Sequence, residues 1–315
     1  MMYGTAWKKG RTADLVYEAI KAGFRGIDTA AMKKHYDEEL TGEGIRRAIR
    51  EGIVSRKDLF VNPPSLLTLP SLTHSLTHPL QIQTKFTPLD PSSPYSLSSP
   101  IPTQIHSSVA SSLANLSPPP SHQANSPQPY LDALVLHSPF PTPQETLLAL
   151  QTLQLYLPTS SDPTHAGKIL RLGISNVPLS HLRSLPEDSS ISIIQNRFYS
   201  TSPPIPWDKD VRVWCADHGA TYQGFWTLTG NVEIWQRAGF VRDLASGAGI
   251  SLAAAWYVLL RAAAGVTVLN GTGDREHMRE DLEAWDKVED WKGTLAGGMA
   301  WPGCLDEFKG LIEGG

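Results

Sequence analysis

The chain has 315 residues, 41% of them hydrophobic, a net charge of -4 and only two cysteines, Cys215 and Cys304. That length allows one large domain or two ordinary ones around a real core, and a charge balance with no basic stripe interleaved with aromatics excludes a nucleic-acid-binding surface. Two distant cysteines argue against a disulfide framework.

The first twenty residues carry Lys8, Lys9, Arg11, Asp14 and Glu18 without an apolar stretch, and the longest apolar run, Leu252 to Leu260, stops at Arg261. The expectation is a cytoplasmic protein with neither signal peptide nor membrane span. Met1 to Trp7 reads as a strand. Thr12 then opens a helix whose stripe is Leu15, Val16, Ala19 and Ile20, ended by Gly23. Arg25 to Thr29 reads as a second strand, ending on the carboxylate of Asp28, and a loop carrying Tyr36 leads to a helix over Leu40 to Arg50. From Val61 to Tyr130 the only charged side chains are Lys85 and Asp90, and 17 of the 25 prolines fall between Pro63 and Pro143. Within that stretch Ile101 to Leu116 still has a helical stripe. Pro88 to Pro100 and Ser117 to Pro129 read as loops.

Alternation then resumes. Strands are predicted over Leu131 to His137, Ile169 to Ser175, Ile191 to Phe198, Ala220 to Phe225 and Val266 to Leu269. Helices are predicted over Pro143 to Leu157, Leu179 to Leu185, Trp207 to His218, Leu252 to Ala263 and Arg275 to Ala284. Eight strands alternating with helices in a chain of this size predict a single-domain α/β fold, a (β/α)8 TIM barrel over residues 1–315. The open-sheet alternative usually carries a Gly-rich turn after its first strand, and none follows here.

In such a barrel Asp28, Lys85 and His137 stand at carboxyl ends of strands, and Tyr36 lies just beyond one. Each has an ordinary reading: a turn cap, a surface phenol, a solvated lysine, a core histidine. Together they form a proton-relay set, since a phenol is a poor acid at neutrality and an ammonium kept charged by a carboxylate is expected to lower its pKa.

Gly4-Thr5-Ala6-Trp7, Gly23-Phe24-Arg25-Gly26-Ile27-Asp28-Thr29-Ala30, Gln83-Thr84-Lys85-Phe86, Leu134-Val135-Leu136-His137-Ser138-Pro139 and Gly173-Ile174-Ser175-Asn176 resemble, in that order, an aldo-keto reductase. The resemblance runs from Tyr3 to about Asp281. It implies a TIM barrel without a Rossmann domain, a nicotinamide cofactor, and reduction of a small-molecule carbonyl compound by a monomer or weak oligomer. Tyr36 becomes the general acid, Asp28 and Lys85 its tuning partners, and His137 the group that orients the carbonyl. Seven residues between Asp28 and Tyr36 are more than the family often has, so His35 is the neighbour to compare, although an imidazole cannot fill a phenol's place. For the cofactor the resemblance implies Thr5, then Ser175, Asn176 and Gln195 at the carboxamide. It implies Phe225 stacked on the nicotinamide, unless that ring is core, and Trp226 and Leu228 along the pyrophosphate. Asn270, Gly271 and Thr272 would lie at the adenosine phosphate, with His277 and Asp281 following. At the positions where the resemblance implies the lysine and arginine that commonly grip a 2'-phosphate, this chain has Asn270 and His277, with Arg275 and Arg279 nearby. NADPH is the first choice and NADH the second. Substrate identity is not encoded legibly; Trp7 and Trp226 are candidates for an aromatic wall, and the Gly-rich tail from Trp291 either closes over the substrate or is disordered.

The family pattern would run Asp58-Leu59-Phe60 directly into Ile82-Gln83-Thr84-Lys85. Between them Val61 to Gln81 is extra, with a tandem Ser71-Leu72-Thr73-His74 and Ser75-Leu76-Thr77-His78. Pro79 and the lack of acidic neighbours argue against metal binding by His74 and His78. Val codons begin GT, Gln can be CAG, and Leu-Thr can be spelled by a branch-point-like CTGAC. The stretch therefore reads as a translated intron, expected to be disordered and to loop out at the amino-terminal face. As a surface loop it adds only about 1 to 1.5 kcal/mol of closure entropy. Pro79-Leu80-Gln81 can stand in for Asp58-Leu59-Phe60 at the start of the strand.

Overall fold

Short strands alternate with helices through residues 1–56, 80–118, 129–200 and 206–314, which the computed structural model describes. The strands are β1 Met2–Gly4, β2 Gly26–Asp28, β3 Gln81–Phe86, β4 Ala133–Leu136, β5 Leu172–Ser175, β6 Ile191–Arg197, β7 Thr221–Phe225 and β8 Thr267–Asn270. Each pairs in parallel with the next, and β8 returns to β1, so the sheet closes into the expected (β/α)8 barrel. The helices are α1 Thr12–Ala22, α2 Glu38–Arg50, α3 Ile101–Leu116, α4 Pro143–Gln154, α5 Leu179–Ser184, α6 Lys209–Asp217, α7 Val232–Trp235, α8 Gly239–Ala248, α9 Leu252–Ala264, α10 Arg275–Lys292 and α11 Leu295–Glu313.

Local chemistry sets several of these boundaries. Thr142 and Glu145 cap α4 reciprocally, with Pro143 at its first turn, so two backbone donors that the helix leaves free are satisfied. On α2, a Cβ at Gly42 would lie 1.9 Å from the Asn115 carbonyl oxygen, and one at Gly44 2.5 Å from that of Ala13. These two glycines let α2 seat closely between α1 and α3. The helix expected from Trp207 starts at Lys209 instead, because Trp207 (φ 62) and Asp208 (φ 52) are left-handed. The tail is neither a flap nor disordered: α11 buries Cys304, Phe308 and Ile312, and Phe308 meets Trp256 of α9 at 5.0 Å and Phe240 of α8 at 6.2 Å between ring centroids. Its apolar face therefore covers the outer helical layer. Among the described residues no single helix is long and apolar enough to cross a membrane.

The barrel depends on how β3 begins. The expectations for Val61 to Pro79, including the looped-out disordered insert and the paired histidines His74 and His78, lie outside the described residues. Their flanks are described. Arg56 Nη1 donates to the Leu80 carbonyl at 2.7 Å and to Asp132 Oδ2 at 2.5 Å, and Nη2 donates to the Tyr130 carbonyl at 2.8 Å. The same Asp132 Oδ2 accepts from Ile82 N at 2.7 Å. Leu80 is fully buried, and Gln81 opens the strand with an exposed side chain, which fits Leu80 as a good core residue and Gln81 as a poor one. Arg56 thus ties the segment after α2 to the starts of β3 and β4. Removing one partner of a buried pair leaves an uncompensated charge, so Asp132→Ala is expected to lower stability by about 3 to 5 kcal/mol, measured as a lower urea midpoint at unchanged slope.

Candidate active site

Side chains alternate along β3, so Gln83 and Lys85 face the barrel interior while Ile82, Thr84 and Phe86 face the helices. Lys85 is buried, its ammonium 2.6 Å from Asp28 Oδ2 and 2.9 Å from the Thr29 carbonyl oxygen. Burial alone would lower its pKa, but Asp28 and then Tyr36 hold it above the ordinary lysine value. The other carboxylate oxygen, Asp28 Oδ1, accepts from Gln83 Nε2 at 2.7 Å and Gln195 Nε2 at 3.1 Å. Gln223 closes this interior group, accepting from Gln83 and Gln195 at 2.7 and 2.9 Å and donating back to Gln83 at 2.9 Å.

Above the ion pair lie the phenol and the imidazole. The Lys85 ammonium is 5.0 Å from the Tyr36 ring centroid, and the rings of Tyr36 and His137 are 6.0 Å apart, edge to face. The four residues expected to form a proton relay therefore share one site. The expected direction of the Tyr36 shift does not hold: burial raises its pKa and outweighs the lowering by Lys85, to which Asp28 adds a further rise. The phenol therefore keeps its proton at neutral pH. His137 is lowered to about 3, by burial first, then by Lys85 and His35, so its imidazole is neutral. Its Nδ1 is 2.7 Å from Thr87 Oγ1, which leaves Nε2 uncommitted.

Two supports for this group were not singled out from sequence. Glu38 is buried at the start of α2 and accepts from Thr84 Oγ1 at 2.5 Å and Ser112 Oγ at 2.7 Å. It ties the loop that carries Tyr36 to β3 and α3. Thr87 stands two residues past Lys85, and the strand period was the available signal. His35 packs on Trp7 with ring centroids 3.8 Å apart and planes tilted by 42°, and Trp7 N donates to the His35 carbonyl at 2.7 Å. That contact holds Trp7, left-handed at φ 63 and 63% exposed, at the mouth.

The residues expected at a cofactor fall into two groups. Ser175 donates to the Gln195 carbonyl at 2.6 Å, and Asn176, left-handed at φ 52, donates to the His137 carbonyl at 2.9 Å and to Ser175 Oγ at 3.2 Å. With the donors of Ser175 and Gln195 engaged inside the barrel, the Asn176 amide oxygen is an acceptor suited to a carboxamide N–H. Phe225 and the 54% exposed Trp226 meet edge to face at 6.2 Å at the end of β7, and Leu228 packs on the core. The second group is less available. Thr5 is fully buried and donates to Thr29 Oγ1 at 2.9 Å. Asn270 is fully buried, donating to Asp281 Oδ2 at 2.7 Å and accepting from Thr272 N at 2.9 Å. Burial pushes Asp281 up to about 6. His277 N is capped by Asp274. Lys8 donates to the carbonyls of Gly271 and Thr272, and Arg11 donates to that of Gly273 at 3.3 Å, so the cations nearest this segment come from the loop after β1.

The structure is a closed parallel barrel with a lysine–carboxylate pair, a phenol and an imidazole gathered at its strand ends. No family model matches the chain. It is 51% identical over 55 residues to an NAD(P)H-dependent D-xylose reductase of Pachysolen tannophilus, covering 18% of this chain and 17% of that protein. It is 25% identical over 303 residues to an NAD(P)H-dependent 6'-deoxychalcone synthase of Glycine max, covering 88% of this chain and 78% of that one. The fold matches a Bombyx mori aldo-keto reductase solved in complex with NADP, with TM-score 0.65, 18% identity and coverage of 99% and 88% of the two chains. It also matches MGS-M4, an aldo-keto reductase from a deep-sea metagenome library, with TM-score 0.67, 15% identity and coverage of 100% and 90%. Short segments of the chain are thus similar to NAD(P)H-dependent reductases, and its barrel has the fold of solved aldo-keto reductases.

Between about pH 6.5 and 3 the unfolded chain binds a proton at His137 that the folded chain excludes, so this residue's contribution to stability is lost as pH falls through that window. Asp281 works in the opposite sense, gaining stability on protonation below about 6. The difference between wild type and His137→Asn isolates the first effect: melting followed from pH 7 to 4 should show a shallower loss in the variant.

Proposed function

We propose that the chain reduces an aldehyde or ketone to an alcohol, using NADPH first and NADH second. The observation that carries this reading is the Lys85 ammonium held by Asp28 at 2.6 Å beneath the ring of Tyr36. It is supported by the relatives' printed NAD(P)H dependence and by the neighbour solved with NADP. Asn176, with Ser175 and Gln195 behind it, would hold the carboxamide; Phe225 would lie against the nicotinamide; Trp226 and Leu228 would follow the pyrophosphate. Gly271, Thr272, His277 and the bonded Asn270–Asp281 pair would form or brace the adenosine end, and Thr5 would brace β1 against β2. When bound, the reduced nicotinamide supplies a hydride to the carbonyl carbon.

The chain's own groups supply the rest. His137, neutral and with Nδ1 on Thr87, donates from Nε2 to the carbonyl oxygen and fixes its direction. Tyr36 gives its hydroxyl proton to that oxygen as negative charge develops. A phenol whose pKa is raised by burial is fully protonated at neutral pH, and the Lys85 ammonium stabilises the phenolate left behind. Asp28 keeps that ammonium charged. The substrate is a small carbonyl compound, the protein a cytoplasmic monomer or weak oligomer, and residues 1–315 one barrel with an insertion over 61–81. Genomic and transcript sequence tests the insertion: a segment that does not begin GT and end AG is not an intron.

Tyr36→Phe should lower NADPH oxidation with aldehyde or ketone substrates by about 10²- to 10⁴-fold, while quenching of Trp fluorescence by NADPH persists. Equal turnover by both proteins removes Tyr36 from the mechanism. Quenching without turnover in the wild type favours the second reading, a barrel that binds the nucleotide as a regulatory module.

A further inference from the structure

The end of β6 carries a cation that the relay does not use. Gln195 points into the barrel and reaches Asp28 Oδ1 at 3.1 Å. Arg197, two residues further along the strand, lies on the same face and about 6.6 Å nearer the mouth. It is exposed and pairs in register with Phe225 of β7. Its guanidinium carbon stands 5.0 Å from the ring centroid of Trp226 and 5.7 Å from that of Phe225. Among the described residues no carboxylate forms an ion pair with it; the arginines that do have one are Arg47, Arg56, Arg237, Arg275 and Arg279.

Two aromatic rings therefore flank a guanidinium whose fork of donors has no acceptor among the described residues. Cation–π contact positions the group without using its N–H donors, which suits two-point recognition of an oxyanion. Trp226, one of those faces, is left-handed at φ 58 and 54% exposed, an unfavourable backbone for a non-glycine residue. The Asp28–Lys85 pair below is neutral as a unit and leaves the charge of Arg197 uncompensated by that pair.

We propose that Arg197 is an oxyanion-binding residue of the active-site mouth, taking a carboxylate or phosphate oxygen of a molecule whose reacting end lies at Tyr36. This rests on the carbonyl-reduction reading and extends it to ligand charge. Two sources share the chemistry: a carboxylate on the carbonyl substrate, and the phosphates of the dinucleotide. The test compares wild type, Arg197→Met and Arg197→Lys in three measurements: the dissociation constant of NADPH by fluorescence titration, and KM for 4-carboxybenzaldehyde and for benzaldehyde.

A rise of about tenfold or more in the NADPH constant in the Met variant, partly restored by Lys and shrinking at high salt, assigns Arg197 to the cofactor phosphates. The same rise confined to KM for 4-carboxybenzaldehyde, with benzaldehyde unchanged, assigns it to a substrate carboxylate. A folded Met variant with all three values within about twofold of wild type, or with kcat lowered equally for both aldehydes and no KM change, overturns the proposal. If the wild type reduces neither aldehyde, the carbonyl-reduction reading fails on its own. Titration with NADPH and with 4-carboxybenzoate then still decides whether Arg197 binds oxyanions.

Discussion

A lysine ammonium inside a closed barrel is the constraint on which the rest of this structure depends. In a medium of low effective dielectric such a charge is tolerated only with a partner and with its hydrogen-bond donors used. Asp28 supplies the partner at 2.6 Å and the Thr29 carbonyl a second acceptor. The carboxylate in turn needs donors on its other oxygen, and Gln83 and Gln195 provide them, with Gln223 linking the two amides. The barrel interior is therefore partly filled by amides where aliphatic side chains would serve packing alone. One ion pair thus dictates residue types on β2, β3, β6 and β7.

The reactive groups are placed by elements outside that interior. Glu38, buried in the first turn of α2, binds Thr84 of β3 and Ser112 of α3 and fixes the loop end from which Tyr36 points inward. Thr87 sets the imidazole of His137. Arg56 secures the start of β3 through Leu80 and Asp132. The pairing of Gly26, Ile27 and Asp28 with Gln81, Ile82 and Gln83 is what brings the lysine to the carboxylate. A strand slipped by one residue would turn Lys85 out toward the helices.

Polar groups at the mouth divide between those spent on holding the fold and those left for a ligand. Thr5, Ser175, Asn270 and Asp281 belong to the first kind, since each already has a protein partner, the first three in buried positions and Asp281 half-buried. Trp7, Trp226 and Arg197 belong to the second, exposed at strand ends and oriented by aromatic contacts. The division separates residues whose replacement should cost stability from those whose replacement should change binding.

Much of this was readable along the chain, because helix stripes, the strand period and caps are local properties. The periodicity of Leu15 to Ile20, the helix over Ile101 to Leu116, the eightfold alternation, and Asp28, Tyr36, Lys85 and His137 as a set all follow from residue spacing and ordered motifs. The net direction of the Tyr36 shift was not readable, since it is the difference between a desolvation cost and a Coulombic gain that depend on burial and distance. The amide cluster around Asp28, the Arg56 staple and the aromatic seat of Arg197 were hidden for a related reason. Each joins residues separated by tens of positions, and only the register of a closed sheet brings them together. The outer helix α11 was missed because a Gly-rich composition lowers helix propensity, whereas burial of Cys304, Phe308 and Ile312 against α8 and α9 supplies the stability that local preference withholds.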